Sequence, residues 1–138
     1  MAYIMVVEDN EDLATVAAYA LSDEGYEVVT KLDTASALEE MQRRAPDLVV
    51  LDVMFPGNDW GGFELAREMC QFPNLKGIPI IMTTGVNQTL GSKFDSYDID
   101  NSWLPVTEFL EKPVDPHQLV SKVKAILEAR GHRPAGGS

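Results

Sequence analysis

The chain has 138 residues, enough for one domain with a real hydrophobic core, and its 45% hydrophobic and 24% charged composition is ordinary for a globular protein. Eleven Lys and Arg face 22 Asp and Glu, a formal net charge of −11, which repels nucleic-acid phosphates and anionic membrane surfaces and argues against DNA binding. No apolar run approaches bilayer length, so no membrane span is expected.

Met1 to Val7 carries no charged leader and runs straight into Glu8-Asp9-Asn10-Glu11-Asp12, so it does not read as a signal peptide and a cytoplasmic location is expected. The apolar run Tyr3 to Val7 is predicted to be a first strand. A helix follows, with Leu13, Val16, Ala17, Ala20 and Leu21 recurring at three- and four-residue steps along one face. Tyr26 to Val29 is a second strand. Ala35, Leu38, Met41 and Ala45 mark a second helix, with Asp33 or Thr34 placed to cap it.

Leu48 to Leu51 is a third strand, and Phe63, Ala66, Met69 and Cys70 a third helix. Cys70, the single cysteine, cannot form an internal disulfide; its neighbours predict a buried small apolar residue. Ile78 to Met82 is a fourth strand. From Val86 to Leu104 the chain is polar and without clean period; a short helix and a long loop are expected there. Val106 to Leu110 is a weaker fifth strand. A last helix carries Leu119, Val123, Ile126 and Leu127, opened by Asp115-Pro116 and closed by Gly131. His117 falls in its first turn, where a solvated side chain is expected. One domain over residues 1–130 and a disordered Gly/Pro/Ser tail over 131–138 complete the reading.

Near-continuous apolar strands are buried on both faces, as in a parallel sheet covered by helices. Strand-then-helix units in this order predict a doubly wound α/β sandwich. In such sheets ligands bind beyond the carboxyl ends of the strands. The residues there are Glu8-Asp9, Lys31, Asp52, Thr83-Thr84 and Lys112-Pro113. Alone, each has a bland explanation, since acidic loops often cap helices. Together they bring three carboxylates, a hydroxyl and an ammonium to one sheet edge.

That set suits phosphoryl transfer. Clustered carboxylates repel one another, and a hard cation with oxygen ligands, Mg2+ above all, relieves the repulsion. Asp52 is ionised at neutral pH and needs no general base to act as a nucleophile. Magnesium, Lys112 and the Thr84 hydroxyl would share the charge on the incoming phosphoryl oxygens.

Four segments resemble the signature segments of response regulator receiver domains: Val6-Val7-Glu8-Asp9-Asn10, Leu48 to Gly57 with Asp52 inside it, Pro79 to Gly85, and Phe109-Leu110-Glu111-Lys112-Pro113-Val114. The resemblance runs over about residues 3 to 130. It implies a flavodoxin-like three-layer sandwich with a five-stranded parallel sheet of order 2-1-3-4-5. It also implies roles: Asp52 as phosphoacceptor, Glu8 and Asp9 as the acidic pair holding magnesium, and the Val53 carbonyl completing the metal shell. Thr84 and Phe109 match the switch positions, and Lys112 matches the family's lysine, in a Lys112-Pro113 bond that is usually cis.

The sequence departs from the family in two places. The loop carrying Asn58-Asp59-Trp60-Gly61-Gly62 is longer than usual, which leaves Trp60 either a lid or partner contact at the site or a side chain packing its own loop. The interval from Thr84 to Lys112 is also long, and Trp103-Leu104-Pro105 within it reads as a docking patch or, more simply, as packing on the fifth strand. Met54, a bulky apolar residue two positions after Asp52, predicts hindered water attack and slow self-dephosphorylation.

The resulting expectation is a single-domain response regulator in two-component (phosphorelay) signal transduction. It takes a phosphoryl group from a histidine kinase or phosphotransfer protein on Asp52 and switches binding to a downstream protein, with self-phosphorylation and self-dephosphorylation as its only catalysis. With no output domain read after the receiver, action through protein contacts is expected. A true hydrolase is disfavoured, since related phosphatases place a second Asp where Met54 stands. A degenerate receiver serving as a phosphorylation-independent scaffold is the alternative.

Overall fold

The computed structural model describes residues 2–85 and 106–130. Five strands, β1 (Tyr3–Val7), β2 (Glu27–Lys31), β3 (Leu48–Asp52), β4 (Ile80–Thr84) and β5 (Glu108–Glu111), form one parallel sheet of order β2-β1-β3-β4-β5. Four described helices cover it: α1 (Glu11–Asp23), α2 (Thr34–Arg43), α3 (Gly61–Met69) and α4 (Pro116–Ala129). The expected helix and loop between Val86 and Leu104, the Trp103-Leu104-Pro105 patch and the 131–138 tail lie outside the described residues.

The period-two geometry of a strand sends successive side chains to opposite faces. Met5, Val7, Val49, Leu51, Val53, Ile80 and Met82 therefore pack with Ala37 and Met41 of α2 and with Phe63, Ala66 and Met69 of α3. Ile4, Val6, Leu48, Val50, Ile81 and Leu110 pack the other way, against Leu21 of α1 and Leu119, Val123 and Leu127 of α4. All residues of β1, β3 and β4 are buried, whereas β2, at the sheet edge, is only half-buried. Two cores thus sandwich the sheet.

Local chemistry starts the helices where the sequence implies. The Asp33 carboxylate accepts from Ser36 N at 2.7 Å, which makes Asp33 rather than Thr34 the cap of α2. Asn10 caps α1 through Leu13 N at 3.0 Å, and Asp115 caps α4 through His117 N at 2.9 Å with Pro116 as first helical residue. His117 itself is exposed.

Two expectations need correction. In α1 the buried residues are Ala14 and Leu21, while Leu13 and Val16 are 45% and 50% exposed. Leu21 and Ala17 of the expected face do pack inward; with Ala14 they fall at i, i+3 and i+7, so the buried face runs through Ala14 and leaves Leu13 and Val16 to its side. Cys70 is partly buried rather than buried, because it is the C-cap of α3, where the chain leaves the core.

At the amino end of the sheet, Arg44 lies 3.9 Å over the Tyr3 ring and binds both Glu27 carboxylate oxygens at 2.6 and 2.7 Å. This clasp is remote from the carboxyl end, where the chemistry gathers. Among the described residues no helix is long and apolar enough to cross a membrane.

Candidate functional site

Sheet register decides which polar residues meet. β1 lies between β2 and β3, and β3 pairs with β4, so the ends of β1 and β3 are neighbours. Glu8 and Asp9 follow β1 directly, and Asp52 is the last residue of β3. Carboxylate oxygens of Glu8, Asp9 and Asp52 all lie within 4.8 Å of one another. Glu8 and Asp52 are buried, at 7% and 4% exposure, while Asp9 is exposed.

Lys112, just past β5, reaches across this group. Its Nζ lies 3.0 Å from Glu8 Oε1 and 3.1 Å from Asp52 Oδ2. Its backbone N–H donates to the Thr84 carbonyl at 2.6 Å, which ties the end of β5 to the end of β4, and the Lys112-Pro113 peptide is cis. Glu8 is held further by the Asn10 N–H, which donates to Oε2 at 3.2 Å.

The buried carboxyls are displaced from their ordinary acidity. Burial raises the Asp52 pKa, with Lys112 opposing, and burial together with the neighbouring Asp52 charge raises that of Glu8. The Lys112 ammonium loses to burial but gains more from Glu8 and Asp52, so its pKa is raised as well. Three carboxylates set against the Lys112 ammonium leave two negative charges in excess. A divalent cation with oxygen ligands is the group that this donor set fits.

The remaining predicted residues lie on β4, on β5 and just past β3. Thr84 ends β4 one position beyond Thr83, the register partner of Asp52, and is 4% exposed. Phe109, on β5 opposite Met82, is half-buried against the core shared with α2 and α3. The Val53 carbonyl, expected to complete a metal shell, accepts from Gly62 N at 2.8 Å and is thereby turned toward the start of α3.

Trp60 is the N-cap residue of α3, and its ring tilts against Phe63 at a centroid distance of 5.7 Å. The longer loop is ordered by a turn at Gly57 (φ +78°), by a bridge between Phe55 and Asn58, and by Asn58 bonds to Glu64 and Trp60 N. Of the two readings of Trp60, packing within its own loop is the one this geometry carries.

Sequence reasoning missed two features. Gly62 presses against the Asp52 main chain, a contact that no local pattern announces. An apolar cleft of about 320 Å³ also runs from Glu8 and Lys112 between Leu13, Val16 and Ala17 of α1 and the segment of Pro113, Val114 and Pro116. The only advance signal of that cleft was the apolar stripe of α1 itself.

A doubly wound sheet of order 2-1-3-4-5, with an acidic cluster and a lysine at the carboxyl ends of its strands, is the architecture of a receiver domain. The chain belongs to the response regulator receiver domain family, whose model matches residues 4–124. It is 35% identical over 124 residues to the alkaline phosphatase synthesis transcriptional regulatory protein PhoP of Bacillus subtilis, covering 90% of this chain and 48% of that protein. It is 36% identical over 124 residues to the phosphate regulon transcriptional regulatory protein PhoB of Rhizobium meliloti, covering 90% and 51%. The chain thus spans about half the length of these curated relatives. Among solved structures, the chemotaxis response regulator CheY4 of Vibrio cholerae superposes with a TM-score of 0.77 at 27% identity, over 92% of this chain and 99% of that one. Receiver domains of two-component systems accept phosphoryl groups and bind Mg2+ at an acidic pocket; they are switches rather than classical enzymes.

Proposed function

We propose that Asp52 is the phosphoacceptor of this receiver, with Glu8 and Asp9 joining it in holding Mg2+, and that phosphorylation alters binding to a downstream protein. The observation that carries this reading is the Lys112 ammonium bonded to Glu8 and Asp52 at 3.0 and 3.1 Å within a group of three convergent carboxylates. When bound, magnesium neutralises negative charge on the transferred phosphoryl oxygens.

In the proposed step an Asp52 carboxylate oxygen attacks the phosphorus of a phosphohistidine on a histidine kinase or phosphotransfer protein. The new P–O bond forms as the P–N bond breaks, and the histidine leaves with the bonding pair and is protonated. Lys112 pairs with one phosphoryl oxygen, and the Thr84 hydroxyl donates to another. The Val53 carbonyl, which already accepts from Gly62 N, would offer its second lone pair as the backbone ligand. Thr84 and Phe109, on paired strands, carry the change outward. Phosphate must stabilise one of two arrangements more than the other for binding elsewhere to change.

The test is direct. After incubation with Mg2+ and acetyl phosphate, the intact chain should gain the mass of one phosphoryl group, and neither Asp52→Asn nor a chelated sample should. Phosphorylation of Asp52→Asn, or none of the wild type, would refute the assignment.

Met54 stands two residues beyond Asp52 and is 41% exposed. Its apolar side chain obstructs an attacking water, so the phosphorylated protein is expected to persist for minutes or longer and Met54→Asn to shorten that lifetime. Hydrolysis within seconds in the purified wild type would sink the idea.

A further inference from the structure

The first turn of α3 approaches the site more closely than any side chain would permit. A Cβ built on Gly62 would lie 2.0 Å from the Asp52 carbonyl oxygen, and 2.9 Å from both the Asp52 carbonyl carbon and Val53 Cα. These are main-chain atoms at the end of an interior strand, so no rotamer change relieves the clash. Neighbouring Gly61 is different: its Cβ would meet a Phe55 ring atom at 3.1 Å, and a ring can give way.

The contact is bonded as well as close. The Gly62 N–H donates to the Val53 carbonyl at 2.8 Å, and the Val53 N–H donates to the Thr83 carbonyl at 3.1 Å. The residue after Asp52 is therefore held from two sides, by α3 and by β4. Asp52 in turn has its carboxylate 3.1 Å from Lys112 and within 4.8 Å of those of Glu8 and Asp9.

We infer that Gly62 is a positioning residue for phosphorylation: its bare Cα lets α3 close on the Asp52 main chain and hold the nucleophile in register with Lys112 and the acidic pair. This rests on Asp52 as the phosphoacceptor. An alanine at 62 must push α3 and the Asp52–Val53 peptide apart by more than about 1 Å, and reactions that depend on in-line geometry lose about a hundredfold for a misplacement of that size.

The full-length chain is used for the test, with Mg2+ and acetyl phosphate. Gly62→Ala, shown folded by circular dichroism, is expected to lower the phosphorylation rate constant at saturating donor and metal by roughly tenfold or more. Gly61→Ala should stay within about twofold of wild type, since only the Phe55 ring must move. A purely structural role would lower thermal stability and leave the saturated rate of the folded fraction unchanged. A folded Gly62→Ala with the wild-type rate overturns the inference, as does an equal loss in Gly61→Ala.

If Gly62→Ala does not fold, exchange of the Gly62 amide in the wild type decides. Beryllofluoride, a phosphoryl mimic that binds carboxylates, should with Mg2+ slow that exchange, and an unchanged rate overturns the inference. Failure of the phosphoacceptor reading is separate, since it would leave the wild type unphosphorylated or leave Asp52→Asn labelled.

Discussion

Lys112→Met is expected to slow phosphorylation of Asp52 by about two to three orders of magnitude, the usual effect of deleting one donor aimed at developing charge in a shielded site. The side chain loses its ammonium but keeps an unbranched apolar stem only one atom shorter, so the change tests charge more than packing. The Nζ now sits 3.0 Å from Glu8 and 3.1 Å from Asp52. Without it, two buried carboxylates face each other with no cation between them. Removing one partner of a fully buried pair costs about 3–5 kcal/mol. The Lys112 side chain keeps 23% of its exposure, which screens part of that, so a loss of about 2 kcal/mol in metal-free urea unfolding is expected. Phosphorylation kinetics and the unfolding curve read the two effects separately. A variant that takes up phosphate at the wild-type rate would remove the amine from the proposed step.

Magnesium should raise the thermal midpoint of the wild type strongly and that of Asp52→Asn weakly, while the order reverses in its absence. A ligand at a hundredfold excess over its dissociation constant adds about 2.7 kcal/mol to the folded state. In the metal-free protein, burial raises the pKa of Asp52 above the ordinary 3.8, and burial with the Asp52 charge raises that of Glu8 above 4.5. The folded state thus binds these protons more tightly than the unfolded chain. Their contribution to stability grows as pH falls from neutral, is complete below the ordinary carboxylate range, and is lost as pH rises through the raised values. Asparagine at 52 mimics the neutral form at every pH, so metal-free Asp52→Asn should be more stable than wild type at neutral pH, with the gap closing in acid.

The difference between the two proteins isolates this effect from two groups of opposite sign. Glu27, hydrogen-bonded by Arg44, and Asp33, bonded by the Ser36 amide, have lowered pKa values and lose their contributions as pH falls. Calorimetry of both proteins across pH, with and without Mg2+, checks the prediction. A metal-free Asp52→Asn less stable than wild type at neutral pH would mean that the Lys112 pair outweighs the burial of the carboxylate.

Much of this was legible in the residues because it depends on local periodicity. Continuous apolar runs at Tyr3 to Val7, Leu48 to Leu51 and Ile78 to Met82 can be buried only between two helical layers, and the sandwich follows from them. The polar residues ending those runs were legible for the same reason, since a parallel sheet brings the ends of all its strands to one edge. Sequence alone thereby determined the class of fold, the edge that carries the chemistry, and the group of Glu8, Asp9, Asp52, Thr84 and Lys112 as the residues to examine.

Only the tertiary structure decided how those residues share the work. Glu8 and Asp9 are adjacent and equally acidic in sequence, yet burial and the Lys112 bond single out Glu8 and leave Asp9 exposed. Leu13 and Val16 fit the helical period with Ala17 and Leu21 as well as Ala14 does, and only packing put Ala14 inside and left the other two exposed. The Val53 carbonyl and the closeness of Gly62 to Asp52 depend on where α3 starts after an irregular loop. Periodicity belongs to neighbours in the chain; distances between strand ends and helix starts belong to packing, which takes form only when the two cores close on the sheet.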